Sequence, residues 1–172
     1  CILHEGNGTH WGIVPARAEF MQGLRELTKR KNVIFLLDEV ITGFRVHPNC
    51  FQGHCDIVPD MTALAKVLAG GLPGGCLVGR TDLMEALAFD NPHGQKMKHP
   101  GTYNANPLSA AAGVAALDIV ATAEPSNKAN ESAAKLRQSL NQIFAEKSSR
   151  LVAYGDFSAI KIHADFEGPH PT

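Results

Sequence analysis

The sequence predicts an α/β fold with a mostly parallel sheet and flanking helices. An amphipathic helical pattern over residues 17–29 is followed by a run over residues 33–40 that is apolar until its two carboxylates, Asp38 and Glu39. Continuous runs of β-branched and large apolar residues are typical of strands buried on both faces, as in parallel sheets covered by helices. A helix followed by such a strand is the basic unit of α/β proteins.

The helical pattern places Phe20, Met21, Leu24 and Leu27 at helical spacing, with charged residues between them. The strand after it ends at Asp38, and ligands of open parallel sheets gather beyond the carboxyl ends of the strands. Asp38 is therefore a candidate site residue. The alternative is a helix cap or a structural ion pair, for which an aspartate after a strand is also suited.

Lys66 provides the only charge in the nineteen residues 61–79, a segment otherwise made of small and apolar residues. Loss of hydration disfavours a charged ammonium, so we expect Lys66 to supply a neutral, nucleophilic amine. Such an amine can condense with an aldehyde. The alternative is a surface lysine whose stem packs on an apolar helix while its charge reaches water.

The last third of the sequence predicts a second unit. Turn residues around residues 123–127 end an apolar helix that we expect over residues 108–120, and an amphipathic helix follows over residues 128–147. Residues 158–164 alternate as in a strand with one covered face. We therefore divide the chain into residues 1–126 and residues 127–172.

Composition predicts neither nucleic-acid binding nor disorder, because the net charge is −1 and hydrophobic residues make up 44% of the chain. Four cysteines without a dense framework indicate reduced thiols and a cytoplasmic location. Residues 61–79 are long enough to span a bilayer, but they contain a central lysine, five glycines and a proline. We therefore expect no membrane partner.

Four sequence motifs follow one another in a specific order. They lie in residues 5–15, in residues 37–45, in residues 59–66 with a glycine-rich continuation over residues 70–75, and in residues 101–107. Together they resemble the motifs of class III aminotransferases, a family of pyridoxal-phosphate enzymes of fold type I, and most closely the glutamate-1-semialdehyde aminomutase-like branch. The resemblance implies part of the cofactor-binding large domain, then the start of a smaller α/β domain, in a chain that is incomplete.

The resemblance also implies roles for single residues. Lys66 would bind pyridoxal 5′-phosphate as a Schiff base and then act as general acid and base. Asp38 would pair with the pyridine nitrogen, and Val40, on the same strand face, would pack against the ring. Gly101 and Thr102 would contact the cofactor phosphate of the neighbouring subunit in a homodimer. The implied reaction moves an amino group from a small amino donor to an oxo or aldehyde acceptor, as an aminotransferase or an aminomutase does.

Glu5 resembles an acidic gate that pairs with an arginine in several relatives when no substrate carboxylate is bound. The motif around it also includes Gly12 and Pro15, but Gly6 stands where the family has proline. No arginine in this sequence is identifiable as the partner of Glu5.

Two alternatives come from other classes of protein. The first is a non-catalytic homologue or scaffold that keeps only the fold, against which the intact Lys66 and Asp38 argue. The second is a zinc-stabilised binding module, because a short segment contains four residues of the types that bind zinc. These residues are His47, Cys50, His54 and Cys55. Structural zinc sites usually combine two separated pairs of ligands, whereas this is one compact loop, so we expect no metal.

Overall fold

The computed structural model describes residues 1–8, 14–91, 94 and 97–169. Its main feature is a four-stranded sheet in the order β1-β2-β3-β4, in which β1, β2 and β3 are parallel and β4 is antiparallel to β3. The strands are β1 Ile2–Glu5, β2 Phe35–Glu39, β3 Met61–Ala65, β4 Gly75–Gly79, β5 Val152–Tyr154 and β6 Lys161–His163. The α-helices are α1 Ala18–Lys31, α2 Cys50–His54, α3 Thr81–Met84, α4 Pro107–Val120 and α5 Glu124–Glu146. The predicted α/β fold is confirmed.

The core lies between α1 and the buried face of β2. Phe35 and Leu37 of β2 are fully buried and pack with Met21 of α1 and Phe51 of α2. The buried apolar face of α1 is narrower than the spacing of its apolar residues predicts, because Phe20 is 54% exposed. Helix α1 therefore packs on the core with the buried Met21 and the partly buried Ala18 and Leu24.

In its described residues, up to residue 169, the second unit contains most of α5 and a two-stranded antiparallel sheet of β5 and β6. Helix α5 begins at Glu124, four residues before the predicted start, with Ala123 in the left-handed region and Pro125 in the first turn, where proline is favoured. Strand β6 lies inside the predicted range. Strand β5 was not predicted.

The second unit touches the first. The ring of Phe157 contacts Phe51 edge-on, with a centroid separation of 6.1 Å, and Asn130 Nδ2 donates to the carbonyl of Val46 at 3.0 Å. The domain boundary after residue 126 stays a prediction. Within the described ranges no single helix is long and apolar enough to cross a membrane, although α4 and α5 together, bent by 69°, satisfy the length and composition of a span.

A buried carboxylate fastens the amino ends of β2 and β3. Asp60 accepts two hydrogen bonds from the Arg25 guanidinium, at 2.8 Å and 3.0 Å, and one from the backbone N–H of Phe35 at 2.8 Å. Arg80, after β4, adds a bond at 3.1 Å. The hydrogen bond from Arg25 holds the pKa of Asp60 well below its usual range. The Asp60 carboxylate therefore joins α1, β2 and the end of β4.

We predict that Asp60→Asn lowers the free energy of unfolding by about 3 kcal/mol, because it leaves the buried Arg25 charge without its partner. The control is Asp82→Asn, which removes an exposed partner of Arg80 and should change stability far less, because solvent screens exposed ion pairs. Because the folded pKa of Asp60 is lowered, its contribution is present above the unfolded pKa and is lost as the pH falls through the folded pKa. Urea unfolding at neutral and acidic pH measures both effects, and equal losses in the two variants would contradict the prediction.

Candidate active site

Two of the predicted site residues lie at the carboxyl edge of the sheet, on neighbouring strands. Asp38 is the fourth residue of β2 and is in register with Ala63 of β3, and Lys66 follows β3 directly. Lys66 thus lies three residues beyond Ala63, which is roughly 10 Å further along the strand direction. The parallel pairing of β2 and β3 brings a carboxylate and an amine to one edge, where ligands of such sheets bind.

Lys66 opens the 3₁₀ turn Lys66–Ala69, which we call the lysine turn. Its φ of 53° lies in the left-handed region, which is uncommon for a residue with a side chain and occurs at strained functional positions. The expectation that apolar neighbours remove Lys66 from water is wrong for this chain, because Lys66 is exposed. The apolar residues after it turn towards α4, and Ala69 is the buried one.

Two glycines allow the lysine turn to pack directly on α4. A Cβ at Gly70 would collide with the carbonyl of Ala112 in α4, and a Cβ at Gly113 would lie 2.5 Å from the carbonyl of Leu68. Ser109 Oγ donates to the carbonyl of Pro73 at 2.7 Å, which holds the glycine-rich segment on the same helix. The backbone next to Lys66 is therefore fixed by contact with α4.

Asp38 is half-buried, and its Oδ1 accepts a hydrogen bond from the backbone N–H of Val40 at 2.9 Å. The sequence predicted that Val40 lies on the same strand face as Asp38. This prediction is wrong, because β2 ends at Glu39 and Val40 opens a turn. The half-buried Val40 instead orients the carboxylate through its backbone. Its predicted packing against a cofactor ring stays a prediction.

Glu39, the neighbour of Asp38, is a supporting residue that the sequence did not reveal. Its carboxylate is 0% exposed and accepts hydrogen bonds from Thr42 Oγ1 at 2.6 Å, the Phe51 N–H at 2.9 Å and the Gln52 N–H at 2.8 Å. Burial raises the pKa of this carboxyl above its usual value. The alternation of side chains along β2 could have predicted the burial of Glu39, since it places Glu39 on the same face as Phe35 and Leu37.

The predicted phosphate-binding residues Gly101 and Thr102 are exposed and form the start of a turn before α4. The carbonyl of Gly101 accepts from the N–H of Asn104 at 3.1 Å, and a Cβ at position 101 would collide with the Asn104 side chain. Asn106 caps α4 by accepting from the Leu108 N–H at 2.9 Å, and the helix begins at Pro107, one residue before the predicted start. The phosphate contact itself stays a prediction.

Glu5 is the last residue of β1 and is in register with Asp38, so the candidate gate residue lies beside the candidate cofactor-binding aspartate. Gly6 follows it, and a Cβ at Gly6 would collide with the ring of Phe51. A proline carries a Cβ, so the glycine at this position has a packing reason. Gly12 of the same motif lies outside the described residues.

The Cys and His residues after β2 form the short helix α2 and its flanks. Cys50 and Cys55 are buried, and burial raises the pKa of both thiols to about 11. Zinc binds thiolates, so this environment disfavours the zinc-site alternative. No group of three or more metal-binding side chains is placed to hold an ion in the part of the chain that the structure describes.

The fold and the site together define a lysine-containing α/β protein with a carboxylate on the neighbouring strand. A family model for class-III aminotransferases matches residues 2–167. The chain belongs to the class-III aminotransferase family. It is 38% identical over 137 residues to a glutamate-1-semialdehyde 2,1-aminomutase of Sulfurisphaera tokodaii, covering 80% of this chain and 32% of that protein.

Two solved structures show the same fold. An omega-transaminase from Sphaerobacter thermophilus is 30% identical with a TM-score of 0.83, covering 98% of this chain and 38% of its own. A glutamate-1-semialdehyde-aminomutase from Pseudomonas aeruginosa, in complex with PMP, is 28% identical with a TM-score of 0.78, covering 95% and 38%. The chain spans about a third of the length of the curated relatives that it matches.

We predict that Gly113→Ala lowers the free energy of unfolding by about 2 kcal/mol, because the added methyl group forces the lysine turn away from α4. Gly23→Ala is the matched control: Gly23 is also inside a helix but has open space around its Cβ position. That control should stabilise the protein by about 0.8 kcal/mol. Thermal unfolding of both variants tests the contact, and stabilisation by Gly113→Ala would contradict it.

Proposed function

We propose that the natural protein catalyses pyridoxal-phosphate-dependent amino-group transfer, with Lys66 as the residue that binds the cofactor covalently. The observation that carries this proposal is the placement of Lys66 and Asp38 on neighbouring strand ends at one edge of a parallel sheet. Membership of the class-III aminotransferase family supports it, as does the complex of one relative with PMP.

The residues present fit this cofactor. The Lys66 side chain is exposed, and within the described residues its amine has no hydrogen-bond or ion-pair partner. Asp38 has one carboxylate oxygen held by the Val40 N–H, and a carboxylate oriented in this way suits the protonated nitrogen of a pyridine ring. Pyridoxal phosphate supplies an aldehyde for the amine and an electron sink for the bond broken at the substrate.

Lys66 performs the acid–base chemistry in this proposal. Lys66 Nζ would take the proton from the substrate carbon that carries the amino group and would return it at another atom. The exposed side chain can reach different atoms while the lysine turn stays fixed on α4. Asp38 would keep the pyridine nitrogen of a bound cofactor protonated, because a negative charge within hydrogen-bond reach favours the charged form.

Further parts of the proposal concern the assembly. We propose that the protein is a homodimer in which Gly101 and Thr102 contact the phosphate at the neighbouring subunit's site. The exposure of both residues beside α4 supports this arrangement. We also propose that Glu5 is an acidic gate, which its position in register with Asp38 supports.

Similarity to several glutamate-1-semialdehyde 2,1-aminomutases, at up to 44% identity, favours an aminomutase over a two-substrate aminotransferase. In that case the amino group moves within glutamate 1-semialdehyde. Conversion of this compound without any second oxo acid or amino donor supports the aminomutase form. Conversion only when a second substrate is present supports the aminotransferase form.

We predict that borohydride reduction of the natural protein with bound pyridoxal phosphate leaves one phosphopyridoxyl group, on Lys66. Peptide mass mapping locates the group, and Lys66→Ala, which should have no measurable turnover, is the control. Label spread over surface lysines such as Lys29 and Lys147, or turnover by Lys66→Ala, would contradict the proposed function.

We predict that Asp38→Asn still allows the reducible bond at Lys66 but lowers kcat by roughly 10- to 100-fold, because a charged hydrogen bond to the ring nitrogen is replaced by a neutral one. Single-turnover kinetics with a saturating amino donor measures the proton-transfer step. An unchanged rate would show that Asp38 does not act on the ring.

A further inference from the structure

Glu39 is a buried acid without a charged partner among its hydrogen bonds. Its side chain has no solvent exposure, and its three donors are a hydroxyl and two backbone N–H groups. Burying a carboxyl group costs free energy unless hydrogen bonds compensate for the lost water. A glutamine or an apolar residue would avoid much of this cost, so the carboxylate at this position calls for a specific reason.

The two oxygens of Glu39 join three parts of the site. Oε2 accepts from Thr42 Oγ1 and from the N–H of Phe51, and Oε1 accepts from the N–H of Gln52. Phe51 and Gln52 belong to the first turn of α2, whose N-cap residue Asn49 makes no side-chain capping bond. The Glu39 carboxylate therefore ties α2 to the end of β2.

The same contacts fix the turn that orients Asp38. The turn after β2 is closed by the bond from Thr42 to the Glu39 carboxylate and by the Gly43 N–H, which donates to the Glu39 carbonyl at 2.8 Å. Val40 lies inside this turn, and its N–H holds Asp38 Oδ1 at 2.9 Å. Asp38 thus depends on the turn, and the turn depends on Glu39.

We infer that Glu39 is a positioning residue for Asp38: its buried carboxylate fixes the turn after β2 and thereby the direction of the Asp38 carboxylate. The inference rests on the proposed function, because it assigns Asp38 to the cofactor. Strand alternation places the two side chains on opposite faces of β2, so Glu39 acts through the backbone and the turn.

The test is a double-mutant cycle on the natural protein, with the dissociation constant of pyridoxal 5′-phosphate and the absorption spectrum of the bound cofactor as readouts. Glu39→Gln places an amide NH₂ group against one of the two backbone N–H donors, since both carboxylate oxygens accept such bonds. We expect it to weaken cofactor binding about 10-fold in the wild-type background. In the Asp38→Asn background the same change should alter binding by less than about 2-fold.

Asp60→Asn is the control, because it removes a buried carboxylate from the opposite end of the same strands. It should lower stability while changing the dissociation constant of the cofactor by less than about 2-fold. The absorption spectrum of the bound cofactor should stay the same. If Glu39→Gln does not fold, Thr42→Val, which removes one donor to Glu39, enters the same cycle.

Two outcomes would overturn the inference: unchanged binding in Glu39→Gln, or an equal loss in both backgrounds, which would show that Glu39 acts independently of Asp38. Failure of the proposed function is recognised separately, because the wild-type protein would then bind no cofactor at Lys66 in the borohydride experiment.

Discussion

Strand β2 has a two-residue alternation, and the arrangement of the site depends on it. Phe35, Leu37 and Glu39 face the core, while Leu36 and Asp38 lie on the half-buried side. A register slip of one residue would exchange the two faces and turn Asp38 into the core. The bonds between Glu39 and the first turn of α2 oppose such a slip, because they are satisfied only in the observed register.

Two buried carboxylates fasten the opposite ends of the parallel strands by different physical means. Asp60 is surrounded by arginine groups, so its charged form is favoured and the contact is an ion pair that acid weakens. Glu39 has only neutral donors, and burial raises the pKa of its carboxyl. The amino ends of β2 and β3 are thus held mainly by ion pairs. The carboxyl end of β2 is held by directional hydrogen bonds from neutral donors. Directional bonds suit the end where a side chain must keep its orientation.

The sequence predicted the elements whose patterns are long or chemically distinct. Helix α1, the buried strand β2, the apolar helix α4 and the family motifs around Lys66 could all be read from it. The choice between a desolvated and an exposed Lys66 could not be made from the sequence, because the apolar residues after it pack on α4 through contacts distant in sequence. The role of Glu39 depends on N–H groups twelve and thirteen residues away. The ion pair of Asp60 could not be predicted for the same reason, since only the packing of α1 brings Arg25 close to it.

The apolar sequence around Lys66 therefore fixes the backbone of the lysine without burying its side chain. A left-handed conformation at a residue with a Cβ costs about 1 kcal/mol or more. It persists when surrounding contacts determine it, and the close approach of the lysine turn to α4 at Gly70 and Gly113 provides such contacts. A fixed backbone with an exposed amine is the geometry that a residue needs if it is to bind a ligand and move protons between its atoms. The glycines of this segment, as much as the lysine, determine where that amine can reach.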